Sequence, residues 1–188
     1  MSANTTKRLL AASLKQLLTK KTLDKITVKD ITDHCGVNRQ TFYYHFQDVY
    51  ALLEWIFEEE LEKAIKDHTD YASWKEAFRD VFSMLLENRT LVLNAYHSVN
   101  IKILRKYLIK TVRPIIAPLV DAFIGDTPIC EEDRQFIVDI YTFGLIGIAL
   151  NWIDNNMELE YATSLDKFFQ LIDGSTEYVV KKFSQQKN

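Results

Sequence analysis

From position 38 to 46 the chain runs Asn-Arg-Gln-Thr-Phe-Tyr-Tyr-His-Phe, and its polar side chains suit one task, hydrogen bonding to nucleic acid. An arginine such as Arg39 presents two parallel donors to guanine N7 and O6, and a glutamine such as Gln40 pairs with adenine N6 and N7. Thr41, Tyr43, Tyr44 and His45 suit phosphate oxygens, which set register and carry no sequence information. At about 100° per residue, Phe42 and Phe46 stack one turn apart on an inner face. Gln40, Thr41 and Tyr44 lie broadly opposite, Tyr43 and His45 flank them, and Arg39 reaches forward from the first turn. Two adjacent outward tyrosines call for a partner. With Thr27, Lys29 and Asn38, these residues form the candidate DNA-binding set: Thr27, Lys29, Asn38, Arg39, Gln40, Thr41, Tyr43, Tyr44 and His45. The plain alternative is a solvated amphipathic helix with an aromatic surface.

The flanking residues are those needed to position such a helix. Thr27 is a good N-cap, and Asp30, three residues on, makes a weaker form of the capping box. Val28, Ile31 and Cys35 share one helical face. Gly36 takes the left-handed conformation that stops the helix, Val37 anchors the turn, and Asn38 caps the next helix. Two short helices across a tight turn make a helix-turn-helix, whose second member enters the major groove.

Thr27-Val-x-x-Ile-Thr, Gly36-Val-Asn and Phe42-Tyr-Tyr-His-Phe46 together resemble the N-terminal domain of the TetR family of bacterial transcription regulators. Residues 39–46, followed by Leu52-Leu-Glu-Trp-Ile-Phe57, are similar to the subgroup that includes dihydroxyacetone-kinase regulators. The specific likeness covers about the first third of the chain; the rest matches in helical character and length. The resemblance implies base reading by Arg39 and Gln40, and mainly phosphate contacts from Thr41, Tyr43, Tyr44 and His45. It also favours a homodimer, with an effector that in this subgroup can be a protein coactivator. One position departs from the pattern: where family members often carry a lysine after the residue opening the fourth helix, Val49 follows Asp48.

Net charge is −3, which at first argues against a nucleic-acid partner, but its distribution does not. Residues 1–48 hold 8 Lys and Arg against 4 Asp and Glu, and residues 49–188 hold the other 15 against 22. Positive potential therefore belongs to the helix-turn-helix segment, and the acidic remainder discourages stray DNA contacts. Cys35 and Cys130 have no metal or disulfide-framework spacing; Cys35 reads as a small buried residue and Cys130 as a thiol in a loop. The histidines are scattered, and no phosphate loop, metal cluster or nucleophile motif occurs, so neither an enzyme nor a cofactor is expected. The start is polar, with no secretory pattern. Residues 136–153 are the most apolar stretch, but Asp139 interrupts them, so a buried helix is expected rather than a membrane span. These features read as a cytoplasmic protein.

Hydrophobic residues at 47%, with 5 Gly and 3 Pro, favour long helices and short turns. The fold class expected is all-α, with about nine helices. A three-helix helix-turn-helix domain over residues 1–48 precedes a helical-bundle regulatory and dimerisation domain over residues 49–188. The expected helices cover 6–20, 48–66, 73–86, 90–99, 100–123, 131–156 and 163–183, besides the two of the helix-turn-helix. Lys7 and Arg8, near the start of the first, are further candidates for phosphate. Pro114 and Pro118 predict a kink or break near residues 111–113.

Gly144 and Gly147 lie one turn apart and allow close approach of another helix. With Trp152, Phe168 and Phe169 they form the candidate dimer interface, close packing within one subunit being the alternative. A small-molecule pocket would draw on Met84, Tyr96, His97, Arg105, Phe123 and Tyr141, with Phe82, Phe136, Phe143 and Arg113 as further candidates; ordinary core is the alternative. The functional expectation is a sequence-specific DNA-binding regulator, a repressor, that binds a palindromic operator as a homodimer under control of a small molecule or partner protein. The competing expectation is a helical protein-interaction adaptor whose helix-turn-helix does not read DNA.

Overall fold

The computed structural model describes residues 3–65, 73–158 and 161–185. Among these the chain is all-α, with nine helices and no strand: α1 (Ala3–Leu18), α2 (Val28–Cys35), α3 (Arg39–His45), α4 (Val49–Ile65), α5 (Trp74–Glu87), α6 (Arg89–Ser98), α7 (Ile101–Ile124), α8 (Glu131–Asp154) and α9 (Tyr161–Gln185). A 3-10 turn, Leu23–Lys25, joins α1 to α2. The expected end of the fourth helix at Lys66 lies outside the described residues. The chain divides into two compact units, Met1–Asp67 with Ser83–Val99, and His68–Phe82 with Asn100–Asn188.

The first unit is built on one apolar core. Leu10, Leu14 and Leu18 of α1, Ile31 of α2, Phe42 of α3 and Leu52 of α4 are fully buried together. The expected boundary at residue 48 differs from this arrangement, because Leu53 and Ile56 of α4 and Leu91 and Ala95 of α6 belong to the same core. Helices of 16, 8 and 7 residues have too little apolar surface to enclose a core by themselves. Polar bonds fix α6 in place: Asn94 Nδ2 donates to the Leu18 carbonyl at 2.6 Å, and the Leu23 amide donates to Ser98 Oγ at 3.1 Å. The Leu18 carbonyl is one of the orphans at the end of α1.

In the second unit α7, α8 and α9 pack on one another. Ile116, Val120, Ile137, Val138, Leu145, Leu165 and Ile172 form the interior. The first half of α5 joins them, with Trp74 edge-on to Phe169 at 4.9 Å and Phe82 stacked on Trp152 at 5.4 Å. Arg79 pairs with Asp166 at 2.6 Å, and Lys75 pairs with Asp173. The expected break near residues 111–113 is absent: α7 runs unbroken with Pro114 and Pro118 inside it. Both prolines lie on the exposed side, where a carbonyl freed one turn back can turn to water, while Ile116 and Val120 hold the opposite side in the core. Cys130 lies at the end of a loop, as expected, and is half-buried. It caps α8, its Sγ accepting from the Asp133 amide at 3.4 Å and donating to the Asp133 carboxylate at 3.0 Å. By length and composition α8 could cross a membrane, but its Ile137, Val138, Leu145, Ile146 and Leu150 are buried in this unit.

Candidate nucleic-acid interface

The positioning helix is tied at both ends. Thr27 Oγ1 accepts from the Asp30 amide at 3.1 Å, while Asp30 Oδ2 accepts from the Thr27 amide at 2.8 Å and the Thr27 hydroxyl at 2.7 Å. This full capping box is stronger than expected from sequence. The bonds from Thr27 hold the Asp30 carboxyl below its ordinary 3.8, with a smaller contribution from Lys21 at 3.6 Å. They also engage the Thr27 hydroxyl proton, so Thr27 acts as a brace and has no proton left for a phosphate.

At the other end Gly36 has φ +68°, and the Val37 amide donates to the Thr32 carbonyl at 3.1 Å. Beneath the motif, buried Ser13 of α1 donates to the Ile31 carbonyl at 2.9 Å. A hydroxyl has one proton, so the 3.0 Å contact between Ser13 Oγ and His34 Nδ1 makes His34 the donor, protonated at Nδ1. Ser13 thus clamps α2 to α1.

The reading helix follows directly. Asn38 Oδ1 accepts from the Gln40 amide at 2.8 Å, which starts α3 and leaves the Asn38 amide group free to donate. Phe42 is fully buried and Phe46 nearly so, while Tyr43 and Tyr44 are 59% and 81% exposed. Arg39 and Gln40 are exposed, Thr41 and His45 are half-buried, and Lys29 is exposed on α2. The Tyr44 ring meets His45 edge-on at 4.9 Å. The structure therefore leaves Arg39, Gln40, Tyr43 and Tyr44 of α3 facing solvent, with Thr41 and His45 half-buried beside them and Phe42 and Phe46 packed inside.

Among neighbouring positions, Lys7 and Tyr50 differ from expectation, while Asp48 opens the fourth helix as expected. Lys7 lies 5.6 Å from the ring centres of both Phe46 and Trp55 and is engaged in cation–π contacts, whereas Arg8 is exposed. Asp48 accepts from the Ala51 amide at 2.8 Å and caps α4. Val49, at the position where the family often has lysine, is turned into the core, and Tyr50 beside it is 46% exposed. Sequence reasoning missed Tyr50. The signal was present: a cap at Asp48 with apolar residues at 49, 52, 53 and 56 leaves position 50 facing outward.

The other candidate groups fare differently. Of the pocket residues, Met84, Tyr96 and His97 belong to the first unit, and Arg105, Phe123 and Tyr141 to the second. His97 and Arg105 are exposed, so neither lines an interior cavity of its unit. The Tyr141 hydroxyl bonds that of Thr176, and Arg113 Nε donates to Asp139 at 2.7 Å. Phe136 and Phe143 are exposed, while Phe82 is core. In the candidate interface, Trp152 and Phe169 are each 2% exposed and belong to the protomer's own core, which corrects their assignment. Gly144 is explained inside the protomer as well: a Cβ there would lie 2.7 Å from the Phe168 ring. Gly147 faces open space. No group of three or more metal-ligating side chains occurs among the described residues.

An all-α chain with a capped helix-turn-helix and an outward Arg-Gln-Tyr-Tyr surface defines a helix-turn-helix transcription regulator. The chain belongs to the TetR family: residues 9–56 match "Bacterial regulatory proteins, tetR family", and residues 72–174 match "Transcriptional regulator C-terminal region". Members of this family regulate transcription and are not enzymes. The chain is 34% identical over 84 residues to the HTH-type dhaKLM operon transcriptional activator DhaS of Lactococcus lactis. That stretch is 45% of either chain, so the match spans less than half of this curated relative. Among solved structures, dihydroxyacetone kinase operon activator DhaS superposes with TM-score 0.67 at 23% identity, over 95% of this chain and 97% of that one. A transcriptional regulator from Pseudomonas aeruginosa PAO1 follows with TM-score 0.58 at 15% identity, over 97% and 96%. At these identities the likeness is one of fold.

Proposed function

We propose that the protein is a cytoplasmic, homodimeric regulator that reads a palindromic operator with α3. Arg39 and Gln40 read base edges. Lys29, Asn38, Thr41, Tyr43, Tyr44, His45 and the added Tyr50 hold phosphates. The observation that carries this reading is the division of α3, with Phe42 and Phe46 inside and Arg39, Gln40, Tyr43 and Tyr44 outside.

The dimer is supported by an exposed apolar stripe on the second unit. Phe136, Ile140 and Phe143 of α8 are 55%, 49% and 51% exposed at helical spacing, and Gly147 extends the row. Leu171 and Tyr178 of α9 are 65% and 64% exposed. A second copy covering this stripe would give the protein two reading helices, one for each of two half-sites about 34 Å apart, one helical turn of DNA. This set takes the place of Trp152 and Phe169, which lie in the core of the second unit.

Control of the dimer by a small molecule or partner protein requires only that the effector bind one conformation better than another. Repression was the expectation from sequence; the name of the Lactococcus lactis relative favours activation. The sign is set by where the operator lies relative to the promoter, and a promoter fusion with and without the regulator reads it directly. Footprinting on fragments selected from genomic DNA tests the rest: two protected half-sites with dyad symmetry support the reading. Protection no better than on random DNA would favour the adaptor.

A further inference from the structure

Residues 88–120 hold six of the 15 Lys and Arg found in residues 49–188, and none of the 22 Asp and Glu. Four of the six, Lys102, Arg105, Lys106 and Lys110, are exposed on the first half of α7. None of the ion pairs among the described residues uses any of them. The three lysines recur every fourth residue and make a row about 12 Å long on one helix face. Two isoleucines stand at its start, on either side of Lys102, Ile101 44% exposed and Ile103 64% exposed. A basic strip with bare aliphatic side chains at its start thus stands on a part of the chain that is otherwise strongly acidic.

We propose that this strip is a docking surface for an acidic protein partner, a helix with carboxylates at four-residue spacing and apolar side chains beside them. Charge complementarity sets the sign, and the regular spacing of the lysines suits a helix lying along α7. The isoleucines decide between partners. They gain by meeting apolar side chains and have nothing to meet on a phosphate backbone. A membrane surface fits poorly too, because the apolar side of α7, Ile116 and Val120 included, is spent on the interior of the second unit. The role rests on the partner-protein control proposed above only in its regulatory consequence; the binding rests on α7 itself and does not involve α3.

The test uses the full-length protein and a labelled acidic amphipathic peptide of about 20 residues, long enough to form a helix when bound. Its glutamates stand at every fourth position with leucines beside them, and a scrambled peptide of the same composition is the control. Lys102→Glu/Lys106→Glu/Lys110→Glu should weaken peptide binding at least about tenfold, since three exposed ion pairs are lost together. Ile103→Ser should weaken it without changing its salt dependence. Lys102→Ala/Lys106→Ala/Lys110→Ala serves as a second variant should the charge reversal fail to fold, and should act in the same direction. Operator affinity should stay unchanged in all of them, which separates failure of this proposal from failure of the operator reading. Several results would each overturn it: no peptide binding, equal binding of the scrambled peptide, or equal binding by the triple variants. Strip-dependent binding of random duplex DNA or phosphatidylglycerol vesicles in place of the peptide, or loss of self-association in the triple variants, would overturn it as well.

Discussion

Arg39 and Gln40 differ from their neighbours in what they can contribute. A bidentate side chain on a base edge discriminates by about 1–3 kcal/mol against the wrong base, whereas a phosphate contact weakens or strengthens all sequences alike. We therefore expect Arg39→Ala to relax specificity at one operator position, measured as the ratio of operator to random-DNA affinity. Lys29→Ala should leave that ratio intact and lower the salt slope of binding by about one. Thr27 acts earlier, through folding. Its replacement by alanine removes an N-cap and should destabilise the protein by about 1 kcal/mol in urea unfolding. Its partner Asp30 links that stability to pH. Bonds from Thr27 lower the folded-state value of the Asp30 carboxyl below its ordinary 3.8. The stabilisation is thus complete above the unfolded-state value and is lost as pH falls through the folded-state one. Asp30→Asn should flatten the pH dependence of stability below about pH 4 and change it little near neutrality.

At the scale of elements, the two glycines of α8 give opposite expectations. Gly144→Ala presses a methyl group against Phe168 and should destabilise the protomer, by about 1–3 kcal/mol if the ring cannot yield. Gly147→Ala meets open space and should stabilise the protomer by up to about 1 kcal/mol through helix propensity. In the same variant the dimer should dissociate more readily, because the added methyl lies on the proposed interface; sedimentation at several concentrations reads this. What sequence could and could not foretell also divides at this scale. The helix-turn-helix was legible because its determinants are local: Thr27, Gly36 and Asn38 act on residues within one turn. The place of α6 was not, since Leu91 and Ala95 join the core of the first unit from far along the chain, and Asn94 reaches the Leu18 carbonyl across 76 positions of sequence. Trp152 misled because an aromatic beside small residues looks the same whether it meets Phe82 of its own chain or a second copy. The prolines of α7 predicted a break because the side they occupy, solvent or core, depends on packing with α8.

For the whole molecule, the proposal joins two requirements. A single α3 makes too few base contacts to select one site in a genome, and a single protomer leaves Phe136, Ile140, Phe143, Leu171 and Tyr178 in water. One dimer answers both. Phe143→Glu should then yield a folded monomer, with helical content unchanged by circular dichroism, that binds an operator half-site weakly and the full operator no better. The most direct measurement of the central claim is fluorescence anisotropy of operator DNA, against random-duplex competitor and at two salt concentrations, for the wild type and for Arg39→Ala/Gln40→Ala. The account expects wild-type binding that survives competitor and weakens with salt, and a double variant that binds operator no better than random DNA. A double variant that still prefers the operator as strongly as wild type would contradict it.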